Sequence, residues 1–180
     1  MSTLQIAELP SYSYEDYKLW EGSWELIYGI PYAMSPAPLI KHQSISNNIA
    51  WQLKNLLTGC SECQALLPVD WKIDEQTIVQ PDNLVICGEP ENDAYLTKAP
   101  VLIFEILSKS TATKDRVTKY HLYENEGVRY YIIVDPIDSI AKIYILNNGK
   151  YIKVEDVSNE SIDFDIEKCK FQFNFSDLWK

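Results

Sequence analysis

Two acidic residues stand inside apolar runs. Asp82 lies in Ile78-Val79-Gln80-Pro81-Asp82-Asn83-Leu84-Val85-Ile86, and Glu105 lies in Val101-Leu102-Ile103-Phe104-Glu105-Ile106-Leu107. Both runs read as largely buried β-strands, where an ionised carboxylate is costly unless a cation compensates it. Side chains alternate along a strand. Ile78, Gln80, Asp82, Leu84 and Ile86 are therefore expected on one face, and Val101, Ile103, Glu105 and Leu107 on one face of the other strand. If the strands are neighbours in register, the two carboxylates converge. Together with the backbone carbonyl of Ile106 they make an oxygen cage suited to magnesium. An ion so held can polarise a phosphoryl oxygen and ease deprotonation of an attacking water.

A positive side chain beside such a pair would hold the phosphate or the water. Lys119 is the candidate, one turn after Asp115 on the helix that leaves the Glu105 run, and Lys109 is the second choice. His42 opens an apolar helical stripe. A hydrogen-bonded core histidine is the commoner outcome there, but a helix start facing the metal would let it bind phosphate or relay a proton. Glu25 is an additional candidate acid, equally compatible with a plain strand residue. His121 reads as structural.

These residues need a frame. Ser13 followed by Glu15 and Asp16 predicts a short helix reaching about Trp20. Trp24 to Met34 predicts a β-hairpin turning near Gly29, and Ser35-Pro36-Ala37-Pro38 breaks the chain. His42, Ile45, Ile49, Leu53 and Leu56 recur at helical spacing, with Gly59 as the stop. Ala65 to Ile73 is expected as one strand and Ile78 to Cys87 as its antiparallel neighbour across Asp74-Glu75-Gln76. Pro100 to Leu107 is a third strand. A helix ending near Gly127 and a buried strand, Tyr130 to Val134, follow. Ile140 to Leu146 and Tyr151 to Val154 flank the turn signal Asn147-Asn148-Gly149-Lys150, and the alternating tail, Phe171 to Trp179, packs back on the sheet. A helix between strands favours a parallel pair, so the fold class is α/β (α+β), a mixed β-sheet flanked by helices.

The chain has 180 residues, 46% of them hydrophobic, enough for a single domain, 1–180, with a real core. No apolar run approaches the ~20 residues that span a bilayer. Met1 to Pro10 lacks a basic region followed by an apolar stretch, so no signal peptide is expected and a cytoplasmic location is the default. A net charge of −10 argues against generic nucleic-acid binding. Any such role must rest on a local patch, and Lys109, Lys114, Arg116 and Lys119 offer one, although a solvated helix face would look much the same. Cys60-Ser61-Glu62-Cys63 has the spacing of half a zinc site or a redox pair. With no second such pair in the chain, the expectation is reduced thiols at chance spacing, with Cys87 and Cys169 in the core.

No Gly-rich phosphate loop and no G-x-S-x-G elbow occur. A paired-carboxylate glycosidase is conceivable from Asp82 and Glu105, but the neighbouring basic cluster suits a phosphodiester better.

Trp24-Glu25-Leu26-Ile27-Tyr28-Gly29, Met34-Ser35-Pro36-Ala37-Pro38, His42-Gln43, Val79-Gln80-Pro81-Asp82, Phe104-Glu105-Ile106-Leu107-Ser108, and Gly127-Val128 through Val134-Asp135-Pro136 occur in that order. The chain thereby resembles the Uma-two family of restriction-endonuclease-like proteins, within the PD-(D/E)XK nuclease superfamily. The resemblance implies a restriction-endonuclease-like core, here with an N-terminal β-hairpin extension. It also implies magnesium-dependent phosphodiester cleavage, with manganese as a substitute. Pro81-Asp82 matches the PD element and Glu105 the acid of (D/E)XK. The superfamily lysine would fall at position 107, which is Leu107; many relatives carry it on the following helix, where Lys119 stands. Ile30 and Tyr130-Tyr131-Ile132 also depart from the family pattern. The implied protein is a metal-dependent endonuclease acting on DNA, with a homodimer expected by analogy with duplex cutters. The rival is a catalytically degenerate nuclease fold kept as a binding or scaffolding module, which the missing lysine and the acidic composition favour.

Overall fold

The computed structural model describes residues 10–34, 38–108, 112–166 and 169–180. A short helix, α1 (Tyr14–Tyr17), precedes the hairpin of β1 (Trp24–Ile27) and β2 (Ile30–Ala33). α1 stops three residues before the expected Trp20. Tyr28 and Gly29 both take positive φ at the hairpin turn, the mirror-image geometry that matches strand twist. A β-carbon on Gly29 would meet Ser11 Oγ at 2.2 Å, so the position needs glycine for space as well.

α2 (Ile40–Leu56) buries Ile45, Ile49 and Leu53, the predicted stripe. Each side chain of this size contributes roughly 1.5–3 kcal/mol on full burial. Gln52 is buried too, and it exchanges bonds with the backbone of Asn174: its Nε2 donates to the carbonyl (3.0 Å) and its Oε1 accepts from the N–H (2.6 Å).

The two long strands expected next are each split. The first becomes β3 (Cys63–Leu66) and β4 (Trp71–Asp74), the second β5 (Thr77–Val79) and β6 (Asn83–Cys87). Both hairpin arms break at the same level, because Pro68 and Pro81 have no N–H for a ladder. β4 pairs antiparallel with β5 and β3 with β6, but in different sheets. Asp82 therefore lies at the bend between sheets rather than inside a continuous strand, and the single-face alternation from Ile78 to Ile86 does not hold.

β7 (Leu102–Ile106) pairs antiparallel with β6 and parallel with β8 (Tyr130–Asp135). β9 (Ile140–Asn147) and β10 (Lys150–Val157) complete a six-stranded sheet in the order β10-β9-β8-β7-β6-β3. The other sheet runs β2-β1-β5-β4. Between β7 and β8 the chain forms a π-helical segment (Lys114–Lys119) and then α3 (Tyr120–Asn125). The tail is a separate hairpin, β11 (Ser161–Ile166) with β12 (Cys169–Asn174), followed by a 3₁₀ segment (Phe175–Trp179).

β7 is buried on both faces. Leu102, Phe104 and Ile106 pack with α2 and with Phe173 and Phe175 of the tail. Ile103 and Leu107 pack on the opposite side with Trp71, Leu122 and Tyr123. All four cysteines meet at one end of this arrangement, paired as Cys60–Cys169 and Cys63–Cys87. The expectation that the C-x-x-C stands alone at chance spacing is overturned by topology: the β6 end and the β12 start are folded onto it.

Candidate active site

β7 brings Glu105 to the face it shares with Ile103, and α3 covers that face. The register Asn83↔Phe104, carried one residue further, puts Asp82 across from Glu105. Asp82 Oδ2 accepts the Ile106 N–H at 2.7 Å and lies 3.2 Å from His42 Nε2 at the start of α2. Glu105 is 3% exposed. Its Oε1 accepts from Lys119 Nζ (2.8 Å) and from the Tyr123 hydroxyl (2.7 Å).

Glu25, from the other sheet, closes the cluster. It has no exposed surface. Its Oε1 accepts the Gln80 N–H at 2.9 Å and lies 2.7 Å from Lys119 Nζ, while its Oε2 is paired with Lys114. Lys114 and Lys119 are five residues apart. On an α-helix, at 3.6 residues per turn, they would diverge by about 140°. The wider i→i+5 winding of a π-helix sets them on the same side, so both ammoniums reach one carboxylate. Asp115 Oδ1 lies 3.8 Å from Lys119 Nζ, and the Asp115 backbone carbonyl accepts the Tyr131 hydroxyl at 2.8 Å.

The electrostatics are uneven. Burial pushes Glu25 up, but Lys119 and Lys114 outweigh it and hold the carboxyl below its usual range. Burial pushes Lys119 down, but Glu105, Glu25 and Asp115 hold its ammonium well above the usual lysine range. Burial also pushes Glu105 up; Lys119 opposes this, and Asp115, Asp82 and Glu25 add to it, leaving the carboxyl well above its usual range. Lys119 thus serves Glu25 and leaves Glu105 short of positive charge. His42 is lowered by burial and raised more by Asp82 and by the Ile106 backbone, for a net upward shift.

Whether a metal fits can be judged on these contacts. Among the described residues, four carboxylates, Glu25, Asp82, Glu105 and Asp115, face two ammoniums, Lys114 and Lys119. The Ile106 N–H points to the Asp82 edge, and in an extended strand the carbonyl of the same residue points to that edge too. His42 Nδ1, beside Asp82, is buried with no hydrogen-bond partner. Asp82, Glu105 and the Ile106 carbonyl are oxygen donors of the kind a hard divalent cation takes.

Asp82, Glu105, Lys119, His42, Glu25 and Ile106 are therefore brought together. Lys109 lies outside the described residues. Among its described residues, the basic patch is divided: Lys114 and Lys119 turn inward and Arg116 is exposed. Lys114 is paired with Glu25, Lys119 is 1% exposed, and Arg116 pairs with Asp135 at 2.9 Å. Sequence reasoning missed Tyr123 and the roles of Lys114, Asp115 and Gln80. Only the proximity of Lys114 to Lys119 signalled any of them.

A mixed sheet with a parallel β7–β8 pair, crossed by a lysine-bearing helix and backed by α2, is a restriction-endonuclease-like fold. The chain belongs to the Uma2 family, described as "Putative restriction endonuclease", which matches residues 14–172. A solved structure of "a putative nuclease belonging to DUF820 from Anabaena variabilis" is similar over 92% of this chain and 95% of that one. Its TM-score is 0.75 at 17% sequence identity, a likeness of fold. No curated protein matches the chain. No helix among the described residues is long and apolar enough to cross a membrane.

Proposed function

We propose that the protein is a metal-dependent endonuclease that hydrolyses DNA phosphodiester bonds. The observation that supports this reading is the register that sets Asp82 across from the buried Glu105, with Asp82 held by the Ile106 N–H at the bend between two sheets. Asp82, Glu105 and the Ile106 carbonyl would hold magnesium, or manganese in its place, which when bound supplies Lewis acidity toward a phosphoryl oxygen.

The protein's own residues position that chemistry. Ile106 N–H and His42 Nε2 both hold the Asp82 carboxylate at Oδ2. Lys119 and Tyr123 fix Glu105 through one oxygen. Glu25 anchors Lys119, so this lysine acts through Glu105 and is a positioning residue more than a phosphate clamp. Tyr17, Trp20, Trp24 and Gln80 line a cavity next to the site. Gln80 joins the two, since its N–H holds Glu25. Aromatic faces of this kind can stack on nucleobases with little sequence preference.

The test is cleavage of plasmid DNA with magnesium or manganese, beside calorimetric titration of each ion. Asp82→Ala and Glu105→Ala should each lose more than the roughly 10–100-fold typical of residues that only support a ligand, with the far-UV spectrum unchanged. Equal cleavage by wild type and both variants would sink the assignment. Absence of both ion uptake and cleavage in the wild type would favour the binding-module alternative.

A further inference from the structure

Four cysteines occur in the chain, Cys60, Cys63, Cys87 and Cys169, and the fold gathers all of them. Cys60 lies in the loop after α2, Cys63 opens β3, Cys87 ends β6 and Cys169 opens β12. Cys63 and Cys87 face each other across the β3–β6 ladder, Cα atoms 4.0 Å apart, and Cys60 and Cys169 have Cα atoms 6.1 Å apart. The pairs are not independent. Cys169 Sγ touches Cys63 Sγ at 3.5 Å, and one sulfur each from Cys60, Cys63 and Cys169 lies within 4.8 Å of the other two.

A disulfide needs only two cysteines, and two unrelated bridges have no reason to meet sulfur on sulfur. A tetrahedral ion does require this. With Zn–S bonds of ~2.3 Å, the sulfurs of a tetrathiolate site stand about 3.8 Å apart, close to the contact between the pairs. An iron–sulfur cluster would need its thiolates spread over several irons, and these are too close together. We infer that, with its thiols reduced, the protein holds one structural zinc ion through Cys60, Cys63, Cys87 and Cys169.

Three features support a structural site. It is closed, with all four ligands from protein and no open position for substrate. Cys63 and Cys169 are buried, and Cys60 and Cys87 are partly buried. It also joins the α2 exit, the edge strand β3 and the β11–β12 hairpin, in addition to the Gln52–Asn174 bonds. The C-x-x-C supplies two ligands at the usual knuckle spacing, and the tertiary fold supplies the other two. This inference rests on no part of the nuclease reading.

The test uses the full chain, expressed with zinc and purified under reductant. Elemental analysis should find about one zinc per chain, and denaturation with a chelator should release the zinc with four titratable thiols. Cobalt in place of zinc should give the intense thiolate-to-metal band and the visible bands of a tetrahedral tetrathiolate. Cys87→Ser and Cys169→Ser should lose the metal, while Asp82→Ala should keep it. Should those cysteine variants fail to fold, the wild-type stoichiometry and the cobalt spectrum still decide. Reduced wild-type protein that takes up no zinc and gives no thiolate–cobalt band overturns the site. So does cobalt with an oxygen- and nitrogen-ligand spectrum.

Discussion

One strand carries different chemistry at its two ends. Just before β6, Asp82 meets Ile106, His42 and the Glu105 cluster. At its last residue, Cys87 meets Cys63, whose sulfur in turn stands beside those of Cys60 and Cys169. Between them Asn83, Leu84, Val85 and Ile86 are buried, a stiff spacer of about 17 Å at ~3.3 Å per residue. The oxygen end is crowded with charge that its lysines only partly compensate. The sulfur end has soft donors that either bond to one another or share an ion. Hard oxygen donors crowded together suit a hard cation, and soft donors in a closed cluster suit a clasp. Changes at the two ends should therefore separate cleanly.

The largest expected effect is a double dissociation. Asp82→Ala should remove at least about 100-fold of cleavage while keeping zinc, at a stability cost of about 1–3 kcal/mol for the buried Ile106 N–H it leaves unmatched. Cys169→Ser should remove zinc and lower the melting temperature by roughly 10 °C. The stability changes of the two variants should add to within about 0.5 kcal/mol in the double variant, as for sites beyond 7–10 Å. Strong non-additivity in urea melts would show that β6 couples its ends.

Next in size is Glu25→Gln. It leaves Lys119 and Lys114 without their shared carboxylate in a buried site, which costs about 3–5 kcal/mol. Adding Lys114→Met should recover part of that loss, because the ammonium that paired with Glu25 goes too, while Lys119 keeps Glu105. Urea midpoints for the single and double variants check this. A Glu25→Gln protein as stable as wild type would mean the cluster is wetter than the fold makes it.

The asymmetry between the ends also governs what the sequence revealed. Asp82, Glu105 and Lys119 were legible because acids in apolar runs, followed by a lysine-bearing helix, are unusual against local propensity. The parallel β7–β8 pair followed from the helix between the strands. Lys114 was hidden because 3.6-residue periodicity points it away from Lys119, and only the π-helical winding turns it back. Glu25 looked like an ordinary hairpin acid because its partners lie some ninety residues away. The split of both arms at Pro68 and Pro81 was written in the sequence but outweighed there by the apolar runs. The sulfur end was not legible from spacing: two ligands come from a knuckle, and the other two arrive only when β6 and β12 are in place.

A smaller effect measures how much of the tail's attachment is sulfur and how much is hydrogen bonding. Gln52→Ala removes the reciprocal pair with Asn174 and leaves a buried carbonyl and N–H unmatched, at about 1–3 kcal/mol. Zinc should partly mask this loss, so the variant should be more sensitive to a chelator than wild type. Thermal melts with and without chelator give the comparison. An equal shift in both would mean that the hairpin is held independently of the cysteines.

The smallest expected effect concerns the support of the oxygen end. Glu124 on α3 accepts from Lys150 (2.8 Å) and from the Tyr151 N–H (2.7 Å), and these bonds hold its carboxyl below the usual 4.5. Because the folded value is the lower one, the stabilisation is complete above 4.5 and is lost as pH falls through the depressed folded value. Lys150 is 74% exposed, so screening keeps its share below about 1 kcal/mol. Most of the effect belongs to the Tyr151 bond. Glu124→Gln should therefore melt a little below wild type at neutral pH, and the gap should close in acid. α3 also carries Tyr123, which holds Glu105, so the same variant should disturb the oxygen end and leave zinc content untouched. A gap that widens toward acid would mean that the carboxylate is not what these bonds favour.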